Sequence, residues 1–572
     1  MNALTASAAV QAGRVQLVTF RRQSLTMARW RVLWVAGVFA LVALAAVLRI
    51  VYFGFADRAL SRTSLEEALL PPRGEITDRN GQPLARAFPA YALWYNPKAL
   101  GEGSPLVKSP EEVAAELVAI FPTMDQAELT DRLASGRTGY IRRRVLPEEA
   151  NRVQNIGELA LEMPRETDRH YPQGSMGAHV LGYVAADGHG RVGMEQVLDE
   201  HLTDPALRGT PVPLSIDLRV QGALEDELRR GMLSVNAMGA AGLVLDVDTG
   251  EVLALASLPE FDPNRIDEQG EKYMFNRVTN QVYELGSTFK PLAMAAAIDA
   301  GVVRDLGRRW NAEPVKVGRF TIKDSHPLGA SLNVPEALIH SSNTVTARVA
   351  DELGPERLRQ TMIDLGMSER PYIELPARGH PIWPGKDWPR LRNMTVSYGH
   401  GIAVTPLHLA SAYAAMVNGG IWRPATLRKL EPGTAPRGRR VFKASTSSRM
   451  RQLLRAISKY GTGRNANAPG YRVGGKTGSA EKPGAGGYKR SSLVSTFAAA
   501  FPMDRPRYVV IAMLDEPRGT VASSFQRTAA WNAAPIVGKL VPRIGPILGV
   551  RPDNTRDVDI SDIAPLIPEA QE

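Results

Sequence analysis

Ser287 and Lys290, three residues apart in YELGSTFKPL (Tyr283 to Leu292), are a candidate nucleophile and base. At helical spacing the two side chains share a face. A serine at a helix start carries its hydroxyl near the positive end of the macrodipole. A lysine one turn on can take its proton if burial leaves the amine neutral. Gly286 permits a sharp turn into the segment, and Pro291 falls in the first helical turns, where a missing N–H costs least. Taken alone the pair is weak. Ser479 and Lys482 share its spacing, and a serine at a helix start is ordinarily only a cap.

A scarcer element is Lys476-Thr477-Gly478, the only Lys-Thr-Gly in the chain, preceded by Arg472-Val473-Gly474-Gly475 in a strand-like run. Glycines there let a backbone approach a ligand closely. A lysine and a threonine hydroxyl on an edge strand can hold a carboxylate, and the N–H of Ser479 can join that of Ser287 as an oxyanion hole. A third element, Ser-x-Asn, occurs at Ser234, Ser331 and Ser341. Its composition does not choose among the three.

The elements that must position these residues can be read around them. Gly242 to Val247 and Glu251 to Ser257, joined at Asp248-Thr249-Gly250, read as a β-hairpin. A second hairpin is expected from Leu493 to Phe501 and Arg507 to Leu514 around the turn-prone Pro502-Met503-Asp504-Arg505-Pro506. Helical periodicity dominates between them, as in Pro406 to Val417. Two outer hairpins and a strand near Lys476 predict an antiparallel sheet covered by helices, an α/β (α+β) architecture. Upstream, residues 56–212 carry turn signals at Pro71 to Gly74 and Asn80-Gly81, with a helix expected near Pro110 to Phe121. Arg73, Asp78, Arg169 and Glu195 are expected to form ion pairs fixing a folded-over segment. With no clustered nucleophile and base, this half reads as a spacer or docking module.

The chain has 572 residues, 44% hydrophobic and 22% charged, enough for two or more soluble domains and unlike a polytopic transporter. It has no cysteine, which excludes disulfides, thiol nucleophiles and cysteine-ligated metal. No metal is expected, since His400 lies between glycines with no grouped carboxylates or HExxH. The net charge of +10 invites a nucleic-acid reading, but Arg14, Arg21, Arg22, Arg29 and Arg31, ahead of the first acidic residue, supply half of it. After them Val32 to Leu48 carries no charge, and apolar character resumes past Arg49 to Phe55. About 20 residues cross a bilayer, so one transmembrane helix is expected, with a cytoplasmic N-terminus by the positive-inside rule. The resulting division is a basic arm (1–31), an anchor (32–55), a pedestal (56–212), a catalytic domain (213–545) and a flexible tail (546–572), the last from its prolines and weak periodicity.

Ser287-x-x-Lys290, then Ser341-x-Asn343 54 residues later, then Lys476-Thr477-Gly478 a further 135 on, follows the motif order of the penicillin-recognising serine enzymes. RGEITDRNGQPLA from Arg73, RHYPQGSMGAHVLGYV from Arg169, GHGRVGMEQ from Gly188, LSIDLRVQ from Leu214, SLPEFDPN from Ser257 and the segment Tyr398 to Gly420 resemble class B penicillin-binding proteins over most of residues 56–515. The single anchor, modest pedestal and NRVTNQVYELGSTFK resemble the division-specific, FtsI-like branch, with the elongation-specific paralogue as alternative. Ser479 stands where threonine is commoner in the family, and Leu285 replaces a frequent proline.

The resemblance implies a five-stranded antiparallel sheet with helices on both faces, a dimerisation-type pedestal, and a periplasmic serine-type D-Ala-D-Ala transpeptidase of the inner membrane, with weak D,D-carboxypeptidase activity as a side reaction. Its partners would be peptidoglycan stem peptides and nascent glycan strands, β-lactams as covalent inhibitors, an FtsW-type glycan polymerase and other divisome proteins, and no nucleic acid or cofactor. Ser287 would be the nucleophile and Lys290 the base in acylation. Ser341 would relay the proton to the leaving amine, and Asn343 would hold Lys290 and the substrate amide. Lys476, Thr477 and Gly478 would form the carboxylate site, and Ser287 and Ser479 the oxyanion hole. A β-lactamase would need a Glu-activated water. Glu356 and Glu374 lie between the second and third motifs, but neither stands in the class A ExxLN pattern. A β-lactam sensor would need several spans, and an inactive scaffold would not need the intact motifs.

Overall fold

The strand Tyr508–Asp515 is apolar at nearly every position, a pattern that requires cover on both faces. The computed structural model describes residues 29–51, 73–99, 101, 106–185, 187–266, 273–484 and 487–570, and it shows what supplies that cover. The chain forms two compact units, residues 1–70 and 71–572.

In the first unit, α1 (Arg29–Val51) is a 23-residue apolar helix with exposed side chains. At 1.5 Å per residue it is long enough for a hydrocarbon core of about 30 Å. The expected span continues to Phe55, and residues 52–55 lie outside the described residues.

The second unit opens with a mixed sheet whose long strand β1 (Pro83–Tyr95) pairs with β2 (Gly139–Val145) and β3 (Arg165–His170). Helix α2 (Pro110–Ile120) begins at a Ser109 capping box and covers this sheet with α3 (Gln126–Ala134), burying Leu93, Tyr95, Leu117 and Leu133. The expected ion pairs form here. Glu195, fully buried, takes Arg73 at 2.9 Å and Arg169 at 2.7 Å, one on each carboxylate oxygen. Asp78 instead serves the Asn80-Gly81 turn, accepting the N–H groups of Asn80 and Gln82 at 2.7 and 2.8 Å, and reaches Leu218 N at 3.2 Å.

The rest of the unit is built on a five-stranded antiparallel sheet. Its members are β4 (Gly239–Asp246), β5 (Val252–Leu258), β6 (Gly474–Gly484), β7 (Gly487–Phe501) and β8 (Tyr508–Asp515), in the spatial order β5-β4-β8-β7-β6. The flanking helices are α4 (Leu218–Ser234), α5 (Lys290–Asp299), α6 (Asn343–Leu353), α7 (Pro406–Val417), α8 (Ala444–Tyr460) and α9 (Ala533–Ile544). Strand alternation sorts the core. Val509, Ile511 and Met513 pack on the side of α5, α7 and α8, whereas Val510, Ala512 and Leu514 pack on the side of α4 and α9. Both expected hairpins are present, and α7 has the expected bounds.

The tail departs from expectation. Its backbone is mostly irregular, but Ile563 and Ile567 are fully buried in the core that holds α5, α7 and α8, and Arg455 of α8 grips Asp557 with two N–H groups at 2.7 and 2.8 Å. Ile560, Ile563 and Ile567 are spaced to reach one face, a pattern too short to stand out among prolines and aspartates.

Candidate active site

Gly286–Phe289 forms a single 3₁₀ turn that runs into α5, so Ser287 sits one turn before Lys290 at the mouth of a helix buried on nearly all sides. Two glycines allow this turn to lie against the edge strand β6. Gly286 has φ +55°, and a Cβ on Gly478 would come within 2.3 Å of the Leu285 carbonyl oxygen. The third residue of Lys-Thr-Gly is therefore glycine because the turn that carries Ser287 occupies the space a side chain would need. Tyr413 of α7, fully buried, donates its hydroxyl to the Thr288 carbonyl at 2.8 Å, and the Thr288 hydroxyl donates to the Leu285 carbonyl at 2.9 Å.

Ser287 remains partly exposed, whereas Lys290 and Lys476 are wholly buried. Both amines reach Ser341: Lys290 Nζ donates to Ser341 Oγ at 3.1 Å and also to the Ser341 carbonyl, and Lys476 Nζ donates to the same Oγ at 3.0 Å. Burial, and next the charge of Lys476, hold the Lys290 amine well below the usual lysine range, against a smaller opposing pull from Asp324. Burial lowers Lys476 to about 7. Lys476 also contacts the Thr477 hydroxyl at 3.3 Å, and Thr477 donates to Thr462 Oγ1 at 2.8 Å.

Ser341 holds this place with a left-handed backbone, φ +62°. The helix Val334–Ile339 ends just before it, and Ser342 just after it caps α6. Asp324 fixes the junction by accepting the Ser342 and Thr344 hydroxyls, each at 2.8 Å, together with the backbone N–H of Asn343. Asn343 is the first residue of α6. Its side-chain amide donates to the Lys323 carbonyl at 3.1 Å, and its backbone N–H is held by the neighbouring Asp324. The Ser479 hydroxyl accepts the Ala529 N–H at 3.1 Å, which ties that side chain off.

Tyr413, Asp324 and Thr462 have no signature in the sequence. Tyr413 lies inside a helix with no pattern to separate it from packing residues, and an isolated Asp or Thr in a loop has no local signature. His400 meets Glu284 at 3.4 Å, which joins the Tyr398 to Gly420 segment to the stretch just before the Ser287 turn. Phe497 and Thr496 are buried, Phe497 in the core beside α4 and α9; the side chain of Tyr488 lies outside those described. Glu356 is exposed in the first turn of the helix Pro355–Asp364, and Glu374 is held by the Leu427 N–H at 2.9 Å and the Thr426 hydroxyl.

Residues 240–540 match the family model of the penicillin binding protein transpeptidase domain, and residues 68–204 that of the penicillin-binding protein dimerisation domain. The chain is 38% identical to the probable peptidoglycan D,D-transpeptidase FtsI of Caulobacter vibrioides, over 84% of this chain and 82% of that one. It is 28% identical to the peptidoglycan D,D-transpeptidase FtsI of Escherichia coli K12, over 84% of each. Among solved structures it is similar to penicillin binding protein 3 of Mycobacterium tuberculosis in complex with aztreonam, with TM-score 0.65 and 25% identity, covering 85% of this chain and 98% of that one.

Proposed function

We propose, on the premise that this chain belongs to the class B penicillin-binding proteins, that it cross-links peptidoglycan as a serine D,D-transpeptidase through an acyl-enzyme on Ser287. The observation that carries this reading is the pair of wholly buried lysines, Lys290 and Lys476, that both donate to Ser341 Oγ, in a site whose helix α5 carries a partly exposed serine at its mouth. A neutral Lys290 accepts the Ser287 proton as Ser287 Oγ attacks the carbonyl of the penultimate D-Ala of a stem peptide. The bond to the terminal D-Ala breaks, and its amine takes a proton relayed by Ser341. An amine of a neighbouring stem then attacks the ester, restoring Ser287 and forming the cross-link. Lys476 and Thr477 suit the terminal carboxylate, and the N–H groups of Ser287 and Ser479 suit the oxyanion. With Asn343 turned to Lys323, Ser341 is the group that links the two lysines.

Rapid hydrolysis of the ester would require a carboxylate to activate water, whereas Glu356 is exposed at the start of its helix and Glu374 is engaged by Thr426 and Leu427. That favours a transpeptidase over a β-lactamase and favours a long-lived β-lactam adduct. The arginines ahead of α1 and the apolar helix itself support a single-pass inner-membrane protein with a cytoplasmic N-terminus and a periplasmic catalytic part. The kinship to FtsI proteins supports work at the division septum with an FtsW-type polymerase and other divisome proteins. The test is incubation of the full-length protein with a fluorescent penicillin, then peptide mapping. One stable adduct on Ser287, absent from Ser287→Ala, is expected; a rapidly released adduct would indicate a β-lactamase, and labelling that persists in Ser287→Ala would indicate another nucleophile. For the septal role, a fluorescent fusion concentrated at mid-cell is expected, and a lateral distribution would favour wall elongation.

A further inference from the structure

The last described residues of the chain reach the segment that carries Ser341. The helix Val334–Ile339 is held by the tail at both ends. At its N-terminus the capping residue Asn333 donates its amide to the Leu566 carbonyl at 2.8 Å. At its C-terminus His340, the residue before Ser341, meets Glu569 at 2.8 Å, both about a third exposed. Ile563, three residues before Leu566, and Ile567, two before Glu569, are fully buried, so this part of the tail is anchored.

The same tail bears on the other lysine. Asp557 takes Arg455 of α8, whose Nη1 donates to Asn467 Oδ1 and to the Val473 carbonyl, each at 2.8 Å; Val473 is the residue before β6 and three before Lys476. A cross-tie completes the frame. The Ile339 carbonyl accepts the N–H of Thr462 at 3.3 Å, and Thr462 accepts the Thr477 hydroxyl.

We propose that the C-terminal tail, residues 557–569, is a positioning clamp of the active site: it holds the segments carrying Ser341 and Lys476 in register, with Glu569 on His340 as its final catch. This rests on the transpeptidase reading, since it assigns the tail to the Ser341 relay. Ser341 has an uncommon backbone conformation and must sit between two amines, so a small shift of its helix would break both contacts. Misplacement of about 1 Å at a reacting group costs on the order of 10²-fold in rate. Loss of the catch alone, with the isoleucine anchors in place, is expected to cost less, about tenfold.

The test uses the full-length protein in detergent and a fluorescent penicillin, with the acylation rate constant and the dissociation constant of the prior complex resolved separately. A truncation after Ile567, which removes Glu569 and spares the buried isoleucines, and the substitution Glu569→Ala are each expected to slow acylation about tenfold with unchanged initial binding and little change in Tm. Glu569→Asp should restore part of the rate. Glu195→Gln, in the pedestal, is the stability control, expected to lower Tm and leave the acylation step alone. Acylation at the wild-type rate after truncation overturns the clamp, as does a loss of rate that merely follows Tm in all variants, the control included. If the wild type itself forms no adduct, the transpeptidase reading falls first and the clamp with it.

Discussion

Lys290 and Lys476 converge on a single oxygen, their Nζ atoms 3.1 and 3.0 Å from Ser341 Oγ, and both are wholly buried. Two ammonium groups this close and this dry repel each other and lack water, so the site favours a state in which one is neutral. The burial of Lys290 and its proximity to Lys476 both act to neutralise it. The geometry thus favours a neutral amine on a residue that is ordinarily charged, as the proposed role of Lys290 as base requires.

The pH dependence of acylation follows from these shifts. Lys290 must be neutral to accept a proton, so the acylation step should rise with pH through its depressed pKa. Lys476 must be charged to bind a carboxylate, so initial binding should weaken as pH rises through about 7. A bell-shaped rate per substrate concentration is expected, its alkaline limb in binding and not in the chemical step. An alkaline limb in the chemical step would reverse the two roles.

Stability should carry the opposite mark of the same groups. A lysine with a lowered folded pKa binds fewer protons folded than unfolded between about 7 and 10.5, so its contribution improves as pH rises through that window. Below it the burial cost is fully present. Lys476→Met is therefore expected to raise Tm at pH 7 and abolish most acylation, and the gain in Tm should shrink toward pH 10. Thermal unfolding across that range checks it.

Gly478→Ala tests the contact between strand and nucleophile turn. Its Cβ would stand 2.3 Å from the Leu285 oxygen, so Ser287 must move. A loss of acylation on the order of 10²-fold is expected, together with lower Tm. An unchanged rate would mean the turn can yield without moving Ser287.

Tyr413→Phe removes the hydroxyl that holds the Thr288 carbonyl and leaves a buried oxygen without its partner. The expected cost is about 1–3 kcal/mol by denaturant unfolding, with slower acylation because the carbonyl lies next to Ser287. A drop in stability with no change in rate would limit Tyr413 to structural support.

Glu195→Gln leaves Arg73 and Arg169 buried around a neutral amide. A loss of about 3–5 kcal/mol is expected, read as a lower unfolding midpoint. Penicillin acylation below that midpoint should match the wild type, since the ion-pair cluster belongs to the pedestal.

Local patterns in the sequence were sufficient to locate the Lys-Thr-Gly strand, both hairpins and the apolar N-terminal helix, because each depends on periodicity or on residues a few positions apart, whereas the pair Ser287 and Lys290 needed the order of the motifs to separate it from Ser479 and Lys482. Ser341 required the order of three motifs, since Ser-x-Asn occurs three times in the chain. What only the tertiary structure decided was long-range: that both lysines end on Ser341, that Asn343 donates to the Lys323 carbonyl, that Tyr413 braces Thr288, and that a tail without evident periodicity buries Ile563 and Ile567 against the catalytic helices. Hydrogen bonds and burial between distant segments depend on where the backbone brings them, and no local pattern encodes which of many aspartates, threonines or isoleucines will find a partner.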